Sequence, residues 1–245
     1  MNLLINRTTI QTLKTTLAIA IAITTASLSA TAQASSLHDS AVKILEANFD
    51  SRIVVQVEAG DFHFKPGQVA PIHTHTAPAV GYIVKGEIIY QIEGEKQVLL
   101  REGDAFYEPA GPRILRFDNA SATEEAVFVD FNLEQEGEPF IVFEKPPTEN
   151  IDRRTLPTVA LDGQRAEKVD IFKTDLEPGE AVKITNSTPA LAIVAQGVVI
   201  IKEQGKAARR VVAGNTFALP RAGSEAKIMN ASSEASAKVI SFHVL

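Results

Sequence analysis

The sequence predicts an all-β protein made of two tandem copies of one strand-rich unit, and three observations carry that prediction. First, short apolar runs broken by Gly, Pro, Asn and Asp follow one another from Arg52 onward, among them IVVQV, DFHFKPG, VGYIVKG, EIIYQIEG, KQVLLREG, RILRF and AVFVDF. Runs of that length at that spacing form an antiparallel sandwich or barrel. Second, no long amphipathic helix interrupts them. Third, a shift of 111 positions carries Gly86 onto Gly197, Gly94 onto Gly205, Gly103 onto Gly214, Pro109 onto Pro220, Asn119-Ala120-Ser121 onto Asn230-Ala231-Ser232 and Phe131 onto Phe242. A repeat of turn residues on this scale means one structural unit used twice.

Taken in order, the chain opens with Arg7 and Lys14, an apolar run from Leu17 to Ile23, and small residues leading to Ala32-Gln33-Ala34. This is the pattern of a secretory signal peptide cleaved after Ala34. The apolar run is well short of the roughly 20 residues that span a bilayer, so the sequence predicts a secreted or periplasmic protein without stable membrane insertion after cleavage. From Leu37 to Asn48, apolar residues at Val42, Ile44, Leu45 and Ala47 behind Asp39 or Ser40 read as a short capped helix. The first barrel follows, giving a domain at 35–145 after the signal peptide at 1–34, with the second barrel at 146–245. Between them, 134–167 with Pro139, Pro146, Pro147 and Pro157 reads as a connector in which Phe140 to Phe143 form a strand laid against one barrel.

Charge and composition exclude some functions. The formal charge of −6 becomes −8 once the two basic residues of the leader are removed, which argues against a nucleic-acid partner. Arg209 and Arg210 form a local pair suited to a solvated turn. The chain has no cysteine, which removes disulfides and thiolate metal sites.

The residues that carry chemistry lie between Gly67 and Gly86, in GQVAPIHTHTAPAVGYIVKG. His73 and His75 alternate on a strand, so both imidazoles leave one face and supply half of a metal site. Glu108 in AFYEP shares a face with Phe106, which points it into the barrel. A carboxylate there is costly unless it is paired or bound to a metal. It is therefore the candidate third ligand and the candidate catalytic carboxylate. The competing reading is an ion pair with Arg113 or Arg116, or hydrogen bonds to backbone amides. Two imidazoles and one carboxylate suit Fe(II), with Zn, Mn, Cu or Ni as alternatives. His63 is expected outside the barrel because Phe62 and Phe64 take the inner face. His38 and His243 have no partner at a telling spacing. Tyr82 and Tyr107 fall on the outer face, in packing roles, with the hydroxyl of Tyr82 at the surface.

These spacings resemble a known family. Gly67, five residues, His73-x-His75 and Gly86 are similar to the first cupin motif; Gly103, five residues, Pro109-x-Gly111 and Asn119 are similar to the second. The stretch from 50 to 133 resembles the small cupins described as quercetin-dioxygenase-like. The resemblance implies two tandem double-sheet jelly rolls, a bicupin, and a metal-dependent, dioxygenase-like activity on a small molecule. The family's ligand pattern is incomplete here: its glutamate falls on Ala79 and its third histidine on Ile114. In the second repeat the four positions fall on Thr185, Ser187, Ala190 and Glu225, which leaves that barrel without a recognisable metal set. The alternative is therefore a metal-free bicupin that binds a small molecule or serves as structure. The two barrels reproduce within one chain the pairing that single-barrel cupins make as homodimers, and a homodimer of the whole chain stays open.

Overall fold

The computed structural model describes residues 40–184, 188, 190–219 and 225–245. One eight-stranded antiparallel sheet runs through both repeats. Its first half holds β1 (Ala41–Phe64), β8 (Ala126–Glu134), β3 (Ala79–Lys85) and β6 (Ala105–Glu108), in that order. Its second half holds β10 (Asp152–Leu176), β17 (Ala237–Val244), β12 (Ala190–Gln196) and β15 (Thr216–Ala218). Each half is faced by a smaller sheet. In the first repeat this runs β5 (Val98–Arg101), β4 (Glu87–Ile92), β7 (Ile114–Asn119), β2 (His73–Thr74) and β9 (Val142–Phe143). In the second it runs β14 (Arg209–Val212), β13 (Val198–Glu203), β16 (Ala226–Asn230) and β11 (Ala181–Ile184). Strand for strand the two repeats match, and β9 is the one addition.

The halves join where β1 pairs with β10, and the register shows a pseudo-twofold relation. Upstream of the histidines the repeat offset is 112, which carries Pro66-Gly67 onto Pro178-Gly179; by it Ile53 faces Arg165, its own equivalent, Ala41 faces Thr174, the equivalent of Phe62, and Phe62 faces Arg153, the equivalent of Ala41. At the centre, the ring of Phe131 packs against that of its equivalent Phe242, tilted by 40° with centroids 4.2 Å apart. Three apolar clusters result: one inside each barrel, and a third between them that includes Val54, Val57, Tyr82, Val129, Phe131, Ile171, Leu191 and Phe242. β8 is buried along its whole length because both of its faces are covered.

The expected helix over 37–48 is replaced, from Ala41 on, by the start of β1. A register shift between Lys43 and Leu45 interrupts the strand, and Ile44 and Leu45 both pack against the central cluster. A bulge of this kind breaks the two-residue alternation and leaves apolar spacing that imitates a helix. The connector is also shorter than expected, since β10 begins at Asp152. Within it, the expected strand over 140–143 is present as the two-residue β9, paired with β2.

The repeated residues have repeated jobs. The Asn119 side-chain amide donates to the carbonyls of Phe64, Lys65 and Glu124, and its oxygen accepts from the amide of Ser121. Asn230 does the same with Leu176, Glu177, Ala235 and Ser232. Gly86 and Gly197 take φ of 81° and 77°, where a side chain would also press on the carbonyls of Glu125 and Ser236. Gly81 is required for a different reason: an added Cβ would lie 2.0 Å from the Phe106 ring and 2.5 Å from the Val129 carbonyl. Gly81→Ala is therefore expected to cost about 1–3 kcal/mol through overpacking. Urea unfolding measures it, and a change within about 0.5 kcal/mol would contradict this packing.

Candidate metal centre

His73 lies on β2, between β7 and the edge strand β9 of the first barrel's smaller sheet, and His75 follows just beyond it. His73 pairs with Ile114 of β7 and with Phe143 of β9, and His75 bridges to Ala110. Both side chains point inward and are buried, as is Glu108 at the end of β6. The structure thus brings His73, His75 and Glu108 together: one ligand atom from each lies within 4.8 Å of the others. Nε2 of His75 is 3.0 Å from one Glu108 oxygen, and Nε2 of His73 is 3.8 Å from the other.

The tautomer of His73 is fixed by its surroundings. Its Nδ1 lies 2.8 Å from the Pro71 carbonyl, to which it can only donate, so Nε2 is left with a lone pair facing Glu108. Although His75 Nε2 lies 3.0 Å from Oε2, neither His75 Nε2 nor Glu108 Oε1 has an aligned hydrogen-bond partner, and both are buried. Buried polar atoms are normally satisfied. Donors that converge on a point rather than on each other are what a cation would satisfy, and the set of two imidazoles and one carboxylate fits a divalent metal.

The electrostatics follow from burial and proximity. Burial opposes a charge on His75, but Glu108, with help from Asp130 and the Phe140 carbonyl, outweighs it and raises its pKa to about 9. Burial likewise opposes the Glu108 carboxylate, yet His75 and His73 hold it well below the usual range, at about 2. Without metal, His75 and Glu108 form a buried ion pair. The competing reading of Glu108 as an arginine partner is not met: Arg113 bonds Glu144 and Glu93, and Arg116 bonds Asp118 and Gln97.

The missing family glutamate has a neighbour in its place. Ala79 on β3 is directly paired with Glu108 on β6, so a carboxylate enters from the adjacent strand into space that alanine leaves free. Ile114, at the absent third histidine, is buried beside His73. A further carboxyl, Asp130 on β8, lines the same cavity and is buried. Burial, then the charge of Glu108, pushes its pKa up to about 8. The signal for it is present in AVFVDF, where Asp130 is in phase with Phe128, but its proximity to Glu108 is a matter of tertiary folding. The cavity has a volume of about 30 Å³ and is otherwise walled by aromatic and aliphatic side chains, including Phe62, Phe117 and Phe128.

Other sequence candidates lie elsewhere. His63 is half-buried outside the barrel interior, between Asp61 and Glu125. His243 packs on Phe172 and contacts Ser241. His38, Thr185 and Ser187 fall outside the described residues, as does the cleavage position after Ala34. Tyr82 does face away from the barrel interior, but its hydroxyl is not at the surface: the residue is buried in the cluster between the barrels. In the second repeat, Leu219 stands at the position of Glu108 and Ser241 at that of Asp130. Both are buried, and Glu225 is exposed.

Comparison with known proteins agrees with this architecture. A family model described as "Cupin domain" matches residues 56–132. No curated protein sequence matches the chain. Among solved structures, salicylate 1,2-dioxygenase from Pseudaminobacter salicylatoxidans aligns at 13% identity with a TM-score of 0.54, over 78% of this chain and 72% of that one. AerE from Microcystis aeruginosa aligns at 13% identity and 0.54, over 83% and 98%. A point mutant of Bacillus subtilis oxalate decarboxylase OxdC aligns at 15% identity and 0.53, over 84% and 75%. At these identities the structural likeness speaks for the fold. With the domain matched at residues 56–132 and the paired barrels, it shows a cupin-like fold used twice in this chain.

Proposed function

We propose that the protein is an exported bicupin whose first barrel, 35–145, binds a divalent metal through His73, His75 and Glu108 and acts on a small molecule with dioxygenase-like chemistry. The second barrel, 146–245, supports the first through the shared sheet. The observation that carries this reading is the convergence of three buried donors whose facing atoms lack hydrogen-bond partners. His73, anchored by the Pro71 carbonyl, and His75 present Nε2 to the ion. Glu108 balances its charge and is the group placed to hold a proton at Oε1 or Oε2 during reaction. When bound, Fe(II) or a comparable ion would supply activation of O2 or polarisation of a substrate oxygen. The phenylalanine walls favour a largely apolar ligand. Salicylate 1,2-dioxygenase, one of whose mutants is seen with gentisate, supports a small-molecule substrate.

The test is elemental analysis of the mature protein, as purified and after loading with Fe(II), Zn(II), Mn(II), Cu(II) or Ni(II), beside the double variant His73→Ala/His75→Ala. Near-stoichiometric metal that disappears in the variant is the expected result. No metal above background under any loading would overturn the proposal and leave a metal-free bicupin.

A further inference from the structure

We propose that Asp130 is a second functional carboxyl of the first barrel, contacting the hydroxyl group of the water or substrate that sits in the cavity beside His73, His75 and Glu108. This rests on the metal-binding reading of those three residues. On β8, Ala126 and Phe128 point into the barrel while Val129, Phe131 and Leu133 point into the cluster between barrels. Asp130 follows the inward phase and lines the cavity. Its partner across the sheet is Gly81, which puts no side chain between it and the site.

The carboxyl is only partly employed by the fold, through the Phe131 backbone and the charge of Arg153. It is only 4% exposed, yet its Oδ1 has no hydrogen-bond partner. A buried polar atom left unpaired costs stability, so its retention calls for a ligand. Among the described residues no lysine or arginine lines the cavity. Arg153, whose charge reaches Asp130, is committed to Glu58 and lies over the Phe140 ring at 3.9 Å. Nor does the fold demand an acid there, since the equivalent Ser241 is equally buried in a barrel where Leu219 replaces Glu108.

Asp130 is outside the trio of mutually close ligand atoms, so its role is contact with the occupant rather than with the ion. A cavity of about 30 Å³ has room for a water or a ligand hydroxyl, and a water needs two to four polar partners. With His75 Nε2 and Glu108 committed to the ion, the ion and the unsatisfied Asp130 Oδ1 supply two of them. A hydroxyl group both donates and accepts, and so satisfies Asp130 in either protonation state. The ligand class that follows is a small, otherwise apolar molecule bearing a hydroxyl.

The experiment compares wild type, Asp130→Val and Asp130→Asn by two measurements: thermal midpoint without metal, and Zn(II) affinity by competition with a chromophoric chelator. Removing an unpaired buried acid should raise the metal-free midpoint of Asp130→Val by several degrees. The same change should weaken Zn(II) binding about 10- to 100-fold with one ion per chain retained, the effect of losing an outer partner. Asp130→Asn, of the same shape, should weaken Zn(II) binding in the same direction, and it decides the matter if the valine variant does not fold. Affinity within twofold of wild type in the folded variants overturns the proposal, and a loss beyond about 1,000-fold, far above that outer-partner range, makes Asp130 a ligand and overturns it also. A wild type that binds no Zn(II) removes the metal reading itself. In the Co(II)-loaded protein, phenol should perturb the visible spectrum at lower concentration than anisole, and that preference should vanish in Asp130→Val. No preference in wild type overturns the hydroxyl assignment.

Discussion

Glu108→Gln abolishes tight metal binding in a barrel that stays folded, and it returns His75 to a neutral imidazole at neutral pH. Glutamine keeps the shape but removes the charge that opposes the burial of His75. In the metal-free wild type, burial works against the imidazolium, yet Glu108 leads the groups that raise its pKa to about 9. Without that carboxylate, desolvation is the strongest remaining influence, and His75 should titrate at or below its ordinary 6.5. Proton NMR of the histidine ring hydrogens against pH reads the change directly. The metal affinity should fall by more than the 10- to 100-fold typical of an outer partner, because a charged ligand is lost. A loss smaller than tenfold would mean that the two histidines bind metal without Glu108. A His75 titration still near 9 would show that another group holds the proton.

Much of the fold is legible because its punctuation is local. Asn119 and Asn230 close equivalent turns with their own side chains, and Gly86 and Gly197 sit where a Cβ would strike the backbone. Such residues recur wherever the turn recurs, so the repeat shows in the sequence. What stays hidden depends on contacts between distant strands. The bulge near Ile44 disguises a strand as a helix, because alternation is the sign by which strands are read. Alternation places Tyr82 on the outer face, but that face is covered by the second barrel, a fact that the pattern within one strand cannot carry. The candidate site divides in the same way. His73 and His75 are neighbours in the chain and read together, and Glu108 follows from its phase with Phe106. Asp130 lies in β8, a strand buried on both faces, where a single acid among apolar residues gives no hint of what it faces.

The metal-free protein should be most stable on the acid side of neutrality and lose stability steadily toward pH 9. Three buried groups set the sign. Glu108, depressed to about 2 from 4.5, contributes stability that is present above 4.5 and lost as pH falls toward 2. Asp130 is shifted the other way, from 3.8 to about 8, so the folded state favours its proton and its contribution declines as pH rises across that interval. His75, raised from 6.5 to about 9, contributes fully below 6.5 and nothing above 9. The combined maximum lies near pH 4–5, between the unfolded-state values of the two acids. Above it, stability should fall by about 1.4 kcal/mol per pH unit while Asp130 titrates alone, and about twice as fast where His75 joins it above roughly 6.5. For a chain of this size each kilocalorie moves the thermal midpoint by roughly 2–4 °C, so the decline is measurable in a series of melting curves. Asp130→Asn should flatten the curve between about pH 5 and 6.5 and halve the slope above it, leaving the decline due to His75 alone. Saturating Zn(II) should remove that decline instead, since a ligated imidazole has already released its proton. A metal-free protein whose midpoint rises between about pH 5 and 8 would contradict both assignments, because it requires these groups to be charged, and satisfied, by partners other than those the barrel supplies.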